Sequence, residues 1–376
     1  MEGFDPYMRK PINITKPLFP TKSAFGMKID EIWHSQWLTN NGEQHKKLEN
    51  ELKVYMGLQN LVLFCNGTMA LFLGLKALEL TGEIITTPFT FPATVEVLNW
   101  NGLFPVFCDI EPSTLNIDSQ KIESLITEKT RAILAVHVFG NPCDVYTIEK
   151  IAKKYHLKVI YDGAHVFGSK INGIPIGNFG DLTMFSFHAT KLFHTIEGGG
   201  LTFQDSSLKE KLSLLKNFGI KNSEEVVLSG INAKMNELQA AMGLEVLKLV
   251  EEEREKRRKL KKTYIKKLEN VPGLRIITEE KDESDSYQYF VIAIDQDQFG
   301  KSRNQVHEEL KKHNIFTRKY FYPLCSNFNW YSKNQSAEKE RLPIANLMVE
   351  QTLSLPFYGD LEEEMVKNIC DLIINT

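Results

Sequence analysis

The stretch AILAVHVFGNPCDVYTIEKIAKKYHLKVIYDGAH, residues 132 to 165, decides the fold. It opens with an apolar strand-like run, AILAVHVF (132 to 139), and closes with a second, LKVIYD (157 to 162). Between them DVYTIEKIAKKYH (144 to 156) sets its apolar residues at helical spacing. Two strands joined through a helix read as a parallel crossover. The alternation continues outward: EIITTPF (83 to 89), PVFCDI (105 to 110) and LTMFSF (182 to 187) are further strand candidates, and TMALFLGLKALEL (68 to 80) a further helix. The expectation is an α/β fold around a mostly parallel central sheet.

Beyond it the pattern changes. A segment from about Lys234 to Leu268 has helical composition, and we read its densely charged middle, EEEREKRRKLKK, as a solvated helix face. Two strand-like runs, LRIIT (274 to 278) and YQYFVIAI (287 to 294), precede the helix candidates RNQVHEELKKHN (303 to 314) and, after the Pro356 break, LEEEMVKNICDLII. The reading is a large domain with an N-terminal arm over residues 1–245 and a smaller C-terminal α+β domain over 246–376.

The 376 residues are 42% hydrophobic with a formal net charge of -3, and lysines and arginines are spread along the chain. No basic footprint for nucleic acid results. No window reaches the roughly 20 apolar residues of a membrane span. The opening MEGFDPYMRKPINITKPLFP lacks the apolar core of a signal peptide, so a cytoplasmic location is expected. The five cysteines stand far apart, without the CxxC spacing of a zinc or redox site, so no metal is expected.

Three segments carry chemistry. In IYDGAHVFG, Asp162 ends a strand, where open parallel sheets place their ligands. A carboxylate there can hold the protonated nitrogen of a pyridine ring, or simply cap a turn. In FSFHATKLFHTIEGGG (185 to 200), Ser186, His188, Thr190 and Lys191 follow another strand. A lysine there can form an imine, or be a solvated charge. In FCNGTMALFLGL, Asn66, Gly67 and Thr68 join a strand to a helix whose first N–H groups can bind phosphate, or form a plain capped turn. Neither GxxxxGK[ST] nor GxGxxG occurs. Imine lysine, acidic partner and phosphate cradle together point to pyridoxal phosphate.

In this order the segments resemble the DegT/DnrJ/EryC1/StrS family of sugar aminotransferases. The resemblance runs over nearly the whole chain through SQWLTNNGEQHKKLENEL, NGTMAL, TTPFTFPAT, DIEPSTLNID, VHVFGNPCD, DGAHVFGS, GDLTMFSFHATKLFHTIEGGG and GINAKMNELQAAMG. It implies the PLP-dependent transferase fold type I, the architecture of aspartate aminotransferase, and pyridoxal 5'-phosphate as cofactor. Lys191 would be the lysine joined to the cofactor and the base that shuttles the proton. Asp162 would pair with the ring nitrogen, and His165 would lie near the ring. Phe91 would stack on its face, unless it is a core phenylalanine. Gly67, Thr68 and Ser186 would hold the phosphate. Asn232 would reach it from the other subunit, making a homodimer part of the site.

The sequence departs from many relatives at Lys234, where they carry arginine. Related dehydratases replace the cofactor lysine by histidine; here Lys191 stands between His188 and His194, which argues for transamination. The implied reaction takes an amino group from L-glutamate to a nucleotide-linked 4-keto-6-deoxy sugar, with dTDP-4-keto-6-deoxy-D-glucose as first choice. GDP- or UDP-linked sugars and C3 ketones also fit; a sugar dehydratase and a non-catalytic sugar-nucleotide sensor are the competing classes. Candidate sugar contacts are His137, Lys319 and Tyr320, the last two in FTRKYFY (316 to 322) beside Arg318.

Overall fold

The structure is a computed structural model, and it describes residues 10–277 and 285–375. Thr278, the last residue of the LRIIT run, and the first nine residues of the N-terminal stretch lie outside these.

The strands are β1 (Leu61–Phe64), β2 (Glu83–Thr86), β3 (Phe104–Phe107), β4 (Thr130–Val136), β5 (Lys158–Asp162), a small hairpin of β6 (Lys170–Ile171) and β7 (Ile174–Pro175), β8 (Leu182–Ser186), β9 (Gly199–Phe203), β10 (Leu274–Ile276), β11 (Phe290–Ile294) and β12 (Thr352–Leu355). Seven of them form the central sheet in the order β1-β9-β8-β5-β4-β2-β3. The pairs among β8, β5, β4, β2 and β3 are parallel, and β9 runs antiparallel to both neighbours. The fold is therefore the expected α/β type with a mostly parallel sheet.

The uninterrupted apolar runs follow from cover on both faces. Successive strand side chains point to opposite sides. Leu134 and Ile160 pack with Ala70, Leu71 and Leu73 of the helix Gly67–Ala77. Ile133 and Tyr161 pack with Ile148 and Ile151 of the helix Val145–Tyr155. Each such Ile or Leu contributes about 1.5–3 kcal/mol through burial. The crossover helix starts where Asp144 accepts a hydrogen bond from the Thr147 N–H and stops at His156, whose φ is 55°.

The run GGLTF forms β9 although its glycines disguise it as a loop. A Cβ at Gly199 would lie 2.5 Å from the Gly67 nitrogen, so the sheet admits only glycine where the chain from Asn66 crosses it.

The remaining three strands form an antiparallel sheet, β10-β11-β12, packed on the helices Val250–Leu268, Arg303–Lys312 and Glu363–Asn375 through Tyr264, Leu268, Leu310, Val366 and Ile369. Ser302 and Gln305 cap the second of these reciprocally. The N-terminal segment is fastened to this sheet's surroundings: Ile12 bridges Ile315, and the Phe357 N–H donates to the Ile14 carbonyl at 3.0 Å.

The segment 234 to 268 is helical as expected and corrects the sequence reading in one respect. It is two helices, Glu237–Leu247 and Val250–Leu268, and its charged middle is not all solvated. Glu253, Arg254, Arg257 and Lys261 are buried. Arg257 Nε meets Glu253 Oε1 at 2.6 Å, Glu253 also accepts from the Gly359 N–H at 2.8 Å, and Lys261 pairs with Asp285. A charge pattern alone does not distinguish a wet face from a paired buried one.

Both outer strands of the central sheet are covered. On β3 the Phe107 N–H donates to Ser336 Oγ at 2.9 Å, Asn334 Nδ2 donates to the Pro105 carbonyl at 2.8 Å, and Pro105 has no N–H to offer. On β1 Lys216 Nζ donates to the Leu63 carbonyl at 2.9 Å. Among the described residues no helix is long and apolar enough to cross a membrane.

Candidate active site

The parallel strands deliver their last residues to one edge of the sheet, the usual location of ligand sites in such folds. β5 ends at Asp162, β8 at Ser186 and β4 just before His137, while the chain leaving β2 runs into Phe89 and Phe91.

Asp162 is 5% exposed. Its Oδ2 accepts from Thr94 Oγ1 at 2.7 Å and its Oδ1 from the Ala164 N–H at 3.0 Å. Burial pushes its pKa up, while Thr94, Ala164 and the nearby Lys191 ammonium draw it down. Among the described residues it has no ion pair. A buried carboxylate so placed could take a cationic partner such as a protonated ring nitrogen.

Lys191 lies in the loop between β8 and β9. Its Nζ is 3.4 Å from the Tyr289 hydroxyl and 5.6 Å from the centre of that ring. Burial lowers its pKa; Tyr320 and Asp162 oppose the shift and Arg318 adds to it. A lowered lysine pKa raises the fraction of neutral amine, the nucleophilic form. Gln288 fixes the backbone on both sides: its Oε1 accepts from the Leu192 N–H at 2.7 Å and its Nε2 donates to the Thr190 carbonyl at 3.1 Å.

His165 is buried, with Nδ1 accepting from the Phe139 N–H at 3.2 Å. Its ring lies parallel to Phe139 and Phe321 and edge-on to Tyr289, 4.9 Å away. Burial and the Lys191 charge hold its pKa well below the ordinary histidine value, so it is neutral.

Gly67 and Thr68 open the helix Gly67–Ala77, with Asn66 Oδ1 accepting from the Met69 N–H at 2.8 Å. The N–H groups of Gly67 and Thr68 precede the first carbonyl a helix can use, so they remain for an anion. A Cβ on Gly67 would come within 3.1 Å of the Ser186 Cβ, which brings these two parts of the expected phosphate cradle together. Phe91 is 50% exposed at the N-cap of the helix Pro92–Trp100, whose third residue is the Thr94 that holds Asp162. A core role for Phe91 does not fit that exposure.

The other expected residues are placed as follows. His137 is fully buried, stacked on Tyr161 at 4.7 Å, with Nδ1 accepting from the Cys143 N–H. It has no surface to present to a sugar in this structure. Burial holds its pKa down at about 3. Lys319 and Tyr320 are partly exposed; the Arg318 guanidinium sits 4.5 Å above the Tyr320 ring, and Tyr320 packs edge-on at 5.5 Å against Tyr289. Asn232 is exposed and bridges Asn217, which also accepts from Lys234 Nζ. His188 meets Thr190 Oγ1 at 2.8 Å and Glu197 Oε1 at 3.4 Å, and His194 meets the Leu18 carbonyl at 2.8 Å.

Sequence reasoning missed Thr94, Gln288 and Tyr289. Thr94 lay inside the TTPFTFPAT stretch. The other two lay in YQYFVIAI, whose strand pattern hid their polar groups.

The set fits pyridoxal 5'-phosphate: Lys191 would make the covalent link, Asp162 would meet the ring nitrogen, and Gly67, Thr68 and Ser186 would hold the phosphate. Among the described residues no cluster of metal-binding side chains competes with this assignment.

The chain is 44% identical over 368 residues to the dTDP-4-amino-4,6-dideoxy-D-glucose transaminase of Escherichia coli, covering 97% of this chain and 98% of that protein. It is 40% identical to the enzyme of the same name from Shigella dysenteriae, covering 97% and 99%. The crystal structure of DesI in the presence of its TDP-sugar product superposes with a TM-score of 0.91 at 33% identity, covering 97% of this chain and 92% of that one. The model of the DegT/DnrJ/EryC1/StrS aminotransferase family matches residues 21–374, and the chain belongs to that family.

Proposed function

We propose that the protein moves an amino group from L-glutamate to a nucleotide-linked 4-keto-6-deoxy sugar, with dTDP-4-keto-6-deoxy-D-glucose as acceptor and dTDP-4-amino-4,6-dideoxy-D-glucose as product. The observation that carries this is the buried Asp162 carboxylate at the end of β5 within electrostatic reach of the Lys191 amine in the loop after β8, together with the substrate named for the relatives at 44% and 40% identity. Bound pyridoxal phosphate supplies a conjugated ring that takes up the electron pair left when the donor carbon loses its proton.

The chain's own groups do the rest. Asp162, anchored by Thr94 and Ala164, keeps the ring nitrogen protonated and so keeps the ring electron-poor. Lys191, once released, would serve as the base for the donor carbon's proton and would deliver the same proton to the cofactor's exocyclic carbon, so that none would be gained or lost overall. The second half-reaction reverses these moves on the sugar ketone, which predicts ping-pong kinetics. Neutral His165 and its aromatic neighbours exclude water from the ring.

A homodimer completes the site, with the exposed Asn232 reaching the phosphate of the other subunit. Lys319 and Tyr320 meet the sugar nucleotide, with Arg318 adding positive charge for its diphosphate. Five free cysteines, four of them buried, suit a reducing compartment, and we place the reaction in the cytoplasm.

The test is a panel of dTDP-, GDP- and UDP-4-keto-6-deoxy sugars incubated with L-glutamate, with products read by mass and NMR. A dTDP-linked 4-amino product supports the proposal. Loss of a hydroxyl without gain of nitrogen indicates a dehydratase, and no turnover of any sugar overturns the reading.

A further inference from the structure

Two consecutive residues just before β11 hold Lys191 from different sides. Gln288 binds the backbone on either side of it, and Tyr289 meets the amine itself, with the hydroxyl 3.4 Å from Nζ. The Tyr289 ring is 4% exposed and wedged edge-on to His165, Phe139 and Tyr320 at 4.9, 6.0 and 5.5 Å. A ring packed on three sides cannot swing, so its hydroxyl is a fixed point. Nζ sits at the end of four rotatable bonds and needs such a point whenever it is not covalently held. Within hydrogen-bond range the described residues give the amine no other partner.

We infer that Tyr289 is a positioning residue for the proton-carrying amine. Resting on the reading of Lys191 given above, its hydroxyl oxygen accepts a hydrogen bond from the freed lysine nitrogen and holds Nζ between the donor carbon, whose proton the neutral amine would take, and the cofactor's exocyclic carbon, to which the ammonium would deliver it. Tyr320 packs edge-on against Tyr289 at 5.5 Å and so helps to fix the ring that carries that hydroxyl. The polar contact is made only while the lysine is free, so it acts on the rate of proton transfer rather than on binding of the amino donor.

Tyr289→Phe keeps the packed ring and deletes the oxygen. Two readouts address it. In the apoprotein, the rate at which pyridoxal phosphate attaches, followed by visible absorption against pH, reports the neutral fraction of Lys191. Loss of an acceptor for the ammonium moves the midpoint of that profile to lower pH. In the holoenzyme, kcat for the glutamate half-reaction falls about tenfold, the value of one hydrogen bond of about 1.4 kcal/mol, with KM for glutamate unchanged. An unchanged midpoint with unchanged kcat, or a rise in KM alone, overturns the inference. Tyr320→Phe shifts the midpoint in the same direction by less; a larger shift from Tyr320 than from Tyr289 assigns the contact to Tyr320 and likewise overturns it. Lys191→Ala separates the two levels: if attachment persists without the lysine, it is the reading of Lys191 that fails.

Discussion

Thr94 Oγ1 donates a 2.7 Å hydrogen bond to Asp162 Oδ2, tying the first turn of the helix Pro92–Trp100 to the end of β5. Thr94 in turn shares a 2.8 Å contact with Thr90 Oγ1, so the carboxylate is held by a short chain of hydroxyls in a buried setting. Its orientation is thus set before any ligand arrives.

Thr94→Val removes the donor and keeps the shape. Pyridoxal phosphate affinity, measured by absorbance titration of the apoprotein, should weaken about tenfold, the cost of leaving a charged acceptor one bond short. Unchanged affinity would show that Ala164 alone suffices.

Asp162→Asn keeps the size and removes the charge. Cofactor still attaches to Lys191, but kcat should fall on the order of a hundredfold or more, because the ring nitrogen loses its preorganised anion. Stopped-flow absorbance of the glutamate half-reaction measures this directly.

His137 gives a pH signature of stability. Its folded pKa of about 3 lies below the unfolded value near 6.5, so the unfolded chain binds the extra proton and stability is lost as pH falls through that interval. Between pH 6.5 and 5 the loss should be about 2 kcal/mol. Urea unfolding of the wild type and His137→Phe at both pH values isolates it; a difference between the proteins that does not change with pH contradicts the assignment.

Arg257→Met strands Glu253 in the interior and should destabilise by about 3–5 kcal/mol, whereas Glu253→Leu with Arg257→Met should recover much of the loss. Denaturant midpoints of the wild type and the two variants form the test. The Gly359 N–H, which also donates to Glu253, limits the recovery.

The parallel strands were legible in the sequence because both of their faces are buried, which leaves near-continuous apolar runs. Asp162, Lys191 and Gly67 were legible because each follows such a run. β9 and β12 were not: β9 is glycine-rich through the crossing chain at Gly67, and TLSL follows a helix without a turn between them. Thr94 and Tyr289 escaped because their value depends on what they touch across the fold, and nothing in a linear pattern marks a hydroxyl that meets a residue 68 or 98 positions away.

The covered margins of the central sheet have a bearing on what happens when many copies are crowded together. An open outer strand is a template for another chain's backbone, and enzymes with long sheets are exposed to that hazard during synthesis and storage. With Asn334 and Ser336 occupying the polar groups of β3, Pro105 interrupting its donors, and Lys216 on the carbonyl of Leu63 at the far side, neither margin can recruit a passing strand. Removing the plug, as in Asn334→Ala with Ser336→Ala, would convert a catalyst into a seed for aggregation without touching a single residue of its chemistry.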